Sequence, residues 1–434
     1  MPYEPVDLIE VRVWGTRVGA IAADPGSGFY VFEYEPQWLA RGVQLAPTTM
    51  PVEGRVRKFV FPDLPERTYQ RLPAMIADSL PDAFGNALTT AFLTNEGVRP
   101  SDITPLDRLA YLGRRGMGAL EFRPGRGPRT TKSTALRMSE LVVEARRALA
   151  GEIVGETGAT EAVRRLIAVG TSAGGARAKA VVALNPETGE LRSGQVPVDP
   201  GFQHWLLKLD GVTADLDLGV SGHYGRIEYA YSKMAAAAGI DMTDCRLLEE
   251  EGRAHFMTRR FDRSPDGDKV HVQSLCALAH MDFNQIGVHD YSQLFMQMDQ
   301  LGLGPAARAE AFRRMVFNVA AANCDDHSKN FAFVLPEEGD WRLSPAYDIT
   351  HAYAPTSQWT REHLMAVNGK RTAIDRRDID TVGDRFEVPD AKRNVEQVLA
   401  AIDEWPRYAA ICGVPDDVAR EVAADIELWS MPLR

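Results

Sequence analysis

The chain has 434 residues, 45 % of them hydrophobic and 25 % charged, a globular composition long enough for two or three domains and unlike that of a disordered chain. Its formal net charge is −11, from 49 basic and 60 acidic residues, which argues against binding nucleic acid as a bare polyelectrolyte, a local basic patch aside. The four cysteines (Cys245, Cys276, Cys324, Cys412) lie far apart with no Cys-x-x-Cys, so free thiols in a reducing compartment are expected rather than a disulfide framework or a thiolate zinc site. The opening residues lack a basic start followed by an apolar core, and no run of about 18 apolar residues occurs, so the expectation is a cytoplasmic protein with no membrane contact.

Residues 7–34 alternate apolar and polar positions and read as strands, broken at Gly15 and at Asp24-Pro-Gly-Ser-Gly. Helical patterning follows at about 66–97 and at 105–113. The Pro/Gly/Arg/Thr stretch 123–134 reads as a linker. Residues 137–168 suggest two helices, and 169–184 a small-residue loop leading into a strand. His204–Asp210 reads as a strand, Arg226–Gly239 as a helix and 246–263 as a hairpin. Beyond about 274 the pattern is mostly helical, clearest at Tyr291–Leu301, at Ala306–Ala322 and in the tail 389–425. A loop–strand–strand unit interrupts it at 323–349. The expected division is a β-containing part at 1–125, a small β-rich lobe at 138–262 and a helical lobe at 263–434.

The most informative segment is Asn323-Cys-Asp-Asp-His-Ser-Lys-Asn330, seven of whose eight residues, all but Cys324, are polar or charged, between an apolar helix and apolar Phe331-Ala-Phe-Val-Leu. Polar groups held between buried elements cost stability unless they have a use. Asp325 and Asn330 stand five apart, and Asp348 follows 18 residues after Asn330. Phosphoryl transfer needs a base at the nucleophile and oxygen ligands for magnesium, in that chain order. The same residues also read as a capped helix end and a polar loop.

A second segment, Thr171-Ser-Ala-Gly-Gly-Ala-Arg-Ala-Lys179, carries Gly174 and Gly175, which would let backbone N–H groups approach an anion; it also reads as a tight turn. A third, Trp205-Leu-Leu-Lys208-Leu, places a lysine among apolar strand residues. A kinase needs such a lysine against the nucleotide phosphates, paired with a helix glutamate, for which Glu228 is the candidate; an edge-strand lysine is the other reading. His280, Asp282 and His289 fit no standard metal-ligand spacing and read as structural polar contacts.

TSAGGARAKA, HWLLKLD, RRFDR, NCDDHSKNF and SPAYDI resemble segments of the HipA family of bacterial serine/threonine kinases, the toxin halves of HipBA toxin–antitoxin modules. VWGTRVGAI, EYEPQWLA, SLPDAFGN and LGRRGMGALEF are similar to the N-terminal subdomain of that family, so the resemblance covers nearly the whole chain. It implies an α+β, two-lobed, kinase-like fold with an extra β-containing N-terminal subdomain. It implies Asp325 as catalytic base, Asn330 and Asp348 as magnesium ligands, and His327 at the nucleotide site. Lys208 would meet the ATP phosphates, with Lys179 and the 172–175 loop beside it. Arg259 to Phe261 would receive adenine through backbone bonds, and Asp262 would approach the ribose. Ser172 would be autophosphorylated, placing about −1.5 to −2 charge where ATP phosphates sit and so switching the enzyme off.

The implied cofactors are ATP and Mg2+. The implied partners are a small helix-turn-helix HipB-like antitoxin, through which DNA would be met only indirectly, and a protein substrate of a class that includes aminoacyl-tRNA synthetases. The chain departs from the family at Asp326, where Gly or Ala is common and where a second acid would bind another cation or face solvent. It departs also at Arg259, which replaces an acidic residue, and at 185–203, which carries extra residues. The competing readings are a small-molecule kinase on the same fold and a catalytically weak co-repressor bound to the antitoxin.

Overall fold

In the computed structural model the described residues are 4–54, 56–127, 138–149, 166, 178–195, 198–210, 212 and 223–434. The chain forms two compact units. The first comprises Met1–Thr213, Arg259–Gln273 and Val334–Gly339, the second Ala214–Thr258, Ser274–Phe333 and Asp340–Arg434.

The first unit opens with strands β1 (Leu8–Val13), β2 (Thr16–Ala23), β3 (Tyr30–Tyr34) and β4 (Lys58–Phe59). Ile9, Val11 and Val13 alternate into the core, as a half-buried strand requires. Trp14 and Gly15 both take positive φ (45° and 74°), the two-residue turn whose twist matches its flanking strands. The chain returns to the sheet as β5 (Glu121–Arg123) beside β1, giving the order β4-β3-β2-β1-β5.

The helical run expected over 66–97 is three helices: Glu66–Tyr69, Ala74–Ala77 and Ala83–Asn95. Pro73 and Pro81 lack the N–H that helix continuation requires, and each restarts the chain instead. Asp82 caps the third helix by accepting from the Gly85 N–H at 2.7 Å. The helix Pro105–Leu112 starts on a capping box of Thr104 and Asp107. Of the helices expected at 137–168, Met138–Leu149 is present and the second lies outside the described residues. β6 (Lys179–Leu184) is buried along its whole length between antiparallel neighbours β7 (Leu191–Ser193) and β8 (Gln203–Lys208).

The second unit contains the helix Tyr224–Ala237 and an antiparallel hairpin of β9 (Cys245–Glu250) and β10 (Arg253–Arg259), turned by Glu251 and Gly252 at φ 48° and 80°. Its remaining helices are chiefly Tyr291–Gln300, Pro305–Ala320, Arg376–Arg385, Ala391–Asp403, Trp405–Ile411 and Asp416–Ser430. Helix 305–320 is the spine. Phe312, Met315, Val316 and Val319 recur at helical spacing and are fully buried, and the helix packs against 391–403 and 416–430. Tyr231 locks helix 224–237 to its end, donating to the Ala321 carbonyl at 2.7 Å with its ring edge-on to Phe317 and Trp405. The fold is α+β, and among the described residues no helix is long and apolar enough to cross a membrane.

Candidate active site

Helix 305–320 ends in a way that aims the following loop. Ala322 takes the left-handed conformation (φ 54°), the Asn323 N–H returns to the Asn318 carbonyl at 2.9 Å, and the Ala322 N–H reaches Val319 at 3.4 Å. This is a Schellman stop with alanine where glycine is usual. The Asn323 side chain repeats the closure by donating to Asn318 Oδ1 at 2.8 Å.

The next residues run extended, and their side chains alternate: Cys324, Asp326 and Ser328 are buried while Asp325, His327 and Lys329 are half-buried. Asp325 and His327 therefore share a face, with His327 Nε2 3.7 Å from Asp325 Oδ1. His327 and the Lys329 ammonium both lie against the Phe283 ring, 5.3 Å from its centroid. Asn330 closes the loop: its Nδ2 donates to the Asp325 carbonyl at 2.7 Å, and its own N–H to the His327 carbonyl at 2.9 Å. The five-residue spacing is the span of that closure. Buried Ser328 donates to the Met281 carbonyl at 2.6 Å and anchors the floor.

The segment bearing Asp348 is held at both ends. Ala346 pairs with Met242, and Ala352 pairs with Asn323 in parallel bridges, with the Cys324 N–H donating to the Ala352 carbonyl at 3.0 Å. Asp348 itself has φ 52°, a strained setting for a non-glycine residue and one that clusters at functional sites. The second unit thus brings Asp325, His327 and Asn330 into one closed loop and ties that loop by backbone to the Asp348 segment.

Asp326 corrects the expectation of a cation ligand or a solvent-facing acid. It is 1 % exposed, and four donors surround its carboxylate. Oδ2 accepts from Tyr291 Oη at 2.8 Å and His363 Nδ1 at 2.9 Å, and Oδ1 accepts from the N–H groups of Leu364 and Met365 at 2.8 and 3.3 Å. Tyr291 accepts in turn from Asn318 Nδ2 at 3.0 Å. Burial pulls the His363 imidazole down, but the adjacent Cys324 sulfur and Asp326 carboxylate outweigh it and raise its pKa to about 10. Burial pushes the Tyr291 phenol well up, so it stays a neutral donor. Tyr291 and His363 carry no motif of their own in the sequence; the available signal is period-two alternation through Cys-Asp-Asp-His-Ser, which turns one acid outward and the next inward.

In the first unit Lys179 and Lys208 stand directly opposite each other across β6 and β8, and both are buried. Like charges in that register are destabilising unless a counter-charge is near. Ser172, Gly174 and Gly175 lie outside the described residues. The Arg259–Phe261 segment runs beside β8, with the Arg260 N–H donating to the His204 carbonyl at 2.9 Å. Asp262 is fully buried; Arg260 grips both its oxygens at 2.8 and 2.7 Å, Arg263 adds a contact at 2.9 Å, and the Gly118 N–H donates at 2.7 Å. Burial favours the neutral acid, yet the two guanidiniums hold this carboxyl below the usual range. Fully buried and held by four donors, Asp262 is an anchor in this structure. Glu228 is buried on helix 224–237 of the second unit. His289 Nε2 lies 2.9 Å from the Asp282 carbonyl, and among the described residues no group of three or more His, Cys, Asp or Glu could hold a metal ion.

The chain is similar to known proteins over both halves. The HipA N-terminal domain family matches residues 9–123, and the HipA-like C-terminal domain family matches residues 171–406. Among curated proteins, "Putative kinase Y4dM" of Sinorhizobium fredii is 30 % identical over 173 residues, 36 % of this chain and 39 % of the relative. "Putative kinase Y4mE" of the same organism is 26 % identical over 160 residues, 34 % of this chain and 37 % of the relative. The matched stretches thus span about two fifths of these relatives. Among solved structures, HipA of Shewanella oneidensis, determined with HipB and its operator DNA, superposes over 98 % of this chain and 96 % of its own with a TM-score of 0.68 at 15 % identity. The fold is therefore the kinase-like fold of HipA, and with more than half its length matched by the C-terminal domain family, the chain belongs to the HipA family.

Proposed function

We propose that this protein is an ATP- and magnesium-dependent serine/threonine protein kinase and the toxin of a toxin–antitoxin pair. The observation that carries the reading is the closed loop of the second unit. It holds a half-exposed carboxylate, Asp325, with Asn330 clasped to its backbone at 2.7 Å and the Asp348 segment bridged to it through Cys324 and Ala352. Asp325 would take the proton of the acceptor hydroxyl as that oxygen bonds to the γ-phosphorus of ATP and the bond to the leaving ADP breaks.

The donor chemistry of Asn330 and Asp348 suits magnesium. The Asn330 amide nitrogen is committed to the Asp325 carbonyl, so its oxygen is turned the other way. One amide oxygen and one carboxylate are the sparse, hard donor set that magnesium completes with water and phosphate oxygens. When bound, the ion neutralises charge on the phosphates. Lys208 and Lys179 of the first unit, which face each other across β6 and β8, would supply cations for the phosphates. The backbone at Arg259–Phe261 would receive adenine, and His327 would line the nucleotide site. Ser172, in the Gly174-Gly175 loop, would be the autophosphorylated residue and the off-switch.

A small helix-turn-helix antitoxin is the proposed partner, which accords with the HipB that accompanies the Shewanella HipA. DNA would be met through that partner, as the net charge of −11 suggests. The three-part division at 1–125, 138–262 and 263–434 would separate the N-terminal subdomain, nucleotide lobe and catalytic lobe. The test is incubation with labelled ATP and magnesium, beside Asp325→Asn, with phosphopeptide mapping. Removing a general base costs about a hundredfold or more, so label on Ser172 should fall by at least that factor; equal labelling of the variant sinks the assignment.

A further inference from the structure

Asp326 is one residue beyond the base and faces the opposite way, into the core. Asp325 is thereby bracketed. On one side the Cys324 N–H is fixed to Ala352 at 3.0 Å, within the stretch that follows Asp348. On the other side the Asp326 carboxylate takes the Leu364 N–H at 2.8 Å and His363 Nδ1 at 2.9 Å. Asp326 and His363 have fully buried side chains, and Tyr291 ties the same oxygen to helix 305–320 through Asn318. A buried ion pair is often no more stabilising than apolar residues of the same volume, so stability alone gives no reason for four donors on one carboxylate beside the base. Catalysis does give one, because a misplacement of about 1 Å in a reacting group can cost a hundredfold in rate.

We propose that Asp326 and His363 are a positioning couple that fixes the Asp325 carboxylate relative to the Asp348 segment. The proposal rests on Asp325 being the base. Neither residue of the couple touches substrate; both act through the backbone on either side of Asp325. Losing the couple should therefore lower the rate of the chemical step and leave nucleotide affinity intact.

The experiment uses the full chain with labelled ATP and magnesium, following label incorporated into the chain itself under single-turnover conditions. Sites able to bind nucleotide are counted separately with a non-hydrolysable ATP analogue. For Asp326→Asn the maximal rate per competent site should fall ten- to a hundredfold, with half-saturating ATP within twofold of the unmodified chain. Amide exchange over residues 323–330 should quicken by about tenfold while helix 391–403 keeps its protection. A merely structural role predicts fewer competent sites, each at the unmodified rate, and that result overturns the proposal, as does unchanged exchange in the loop.

If Asp326→Asn does not fold, Tyr291→Phe and His363→Gln decide. A three- to tenfold fall in rate per competent site at unchanged half-saturation supports the couple, and unmodified rates in both overturn it. Label retained in Asp325→Asn instead refutes the base assignment, a different failure, which takes the couple's role with it.

Discussion

Each unit contains a buried aspartate held by four donors, Asp262 in the first and Asp326 in the second, and the two differ in what surrounds them. Asp262 is held by two arginines and a glycine N–H, all of them permanent donors. Asp326 is held by a histidine, a tyrosine and two backbone amides, so one of its partners can lose its charge. Asp262 joins positions 144 residues apart, drawing the Gly116–Gly118 turn onto the Arg260–Arg263 segment. Neighbouring contacts extend that clasp: Trp14 donates to the Lys269 carbonyl at 2.8 Å, and His271 Nε2 lies 3.0 Å from the Leu45 carbonyl. Asp326 joins positions 35 to 39 residues apart within one lobe. The same device, a buried carboxylate held by four donors, ties distant segments of the first unit in one case and, in the proposed reading, would place a reacting group in the other.

The largest effect is expected from Asp262→Ala. It leaves Arg260 and most of Arg263 buried without their counter-charge, and removing one partner of a buried pair costs about 3–5 kcal/mol. Urea unfolding followed by amide exchange in residues 8–34 should show the first unit destabilised by that amount, with helix 305–320 in the second unit nearly unaffected. A loss under about 1 kcal/mol would mean that the arginines reach water and that the clasp is weak.

The two units should also answer pH with opposite signs. His363 has a folded pKa raised to about 10, above the unfolded value of about 6.5. Its contribution is complete below about pH 6.5 and is lost as pH rises through the folded value. Asp262 is lowered, so its contribution is present above about pH 3.9 and is lost as pH falls below that. Burial pulls His271 down to about 4, so it is neutral in the folded first unit and favours unfolding as pH drops from about 6.5 toward 4. Amide exchange at pH 5, 7 and 9 should find the first unit weakest at the acid end and the loop at 323–330 weakest at the alkaline end. The alkaline loss should vanish in His363→Gln; parallel pH profiles for the two units would contradict the assignment.

How much of this was legible in the sequence depends on how local the cause is. Strand alternation at Val11 and Val13, the turn at Gly15, and the apolar helix residues Met315, Val316 and Val319 are set by neighbours a few residues away, and they read directly. Pro73 and Pro81 cut the expected run at 66–97, and the sequence carried that signal plainly. The polar stretch 323–330 stood out because seven of its eight residues oppose their apolar flanks. What did not read was partnership across the chain. The facing of Lys179 and Lys208 depends on the register of two strands 29 residues apart, and the four donors on Asp326 come from two distant segments, at Tyr291 and at His363–Met365. Asp262 was expected at a ribose because its neighbours resemble a hinge; one of its donors, Gly118, lies in a different part of the chain.

Both clasps lean on a left-handed residue, and exchanging glycine and alanine there is the finest test of the contrast. Gly118 has φ 72°, and a Cβ on it would sit 3.1 Å from the Val272 N–H nitrogen, while its own N–H feeds Asp262. Gly118→Ala adds left-handed strain of about 1–2 kcal/mol and a backbone squeeze; the stiffer unfolded chain returns only about 0.4–1 kcal/mol. A net loss of about 1–2 kcal/mol in the first unit should follow, seen as a shift in its urea midpoint. Ala322 has φ 54° but is buried, clustered with Cys324, Trp429 and Tyr353. Ala322→Gly releases strain of the same about 1–2 kcal/mol. It gives back about 0.4–1 kcal/mol of chain entropy and about 0.8 kcal/mol of methyl burial. These terms nearly cancel, so the second unit's midpoint should move by no more than about 0.5 kcal/mol. A loss above 1 kcal/mol would show that the packed methyl, and not the turn, is what alanine supplies at the end of helix 305–320. A comparable gain would show strain held one turn before Asp325, which the Asn318–Asn323 clasp and the Asp326 couple together restrain.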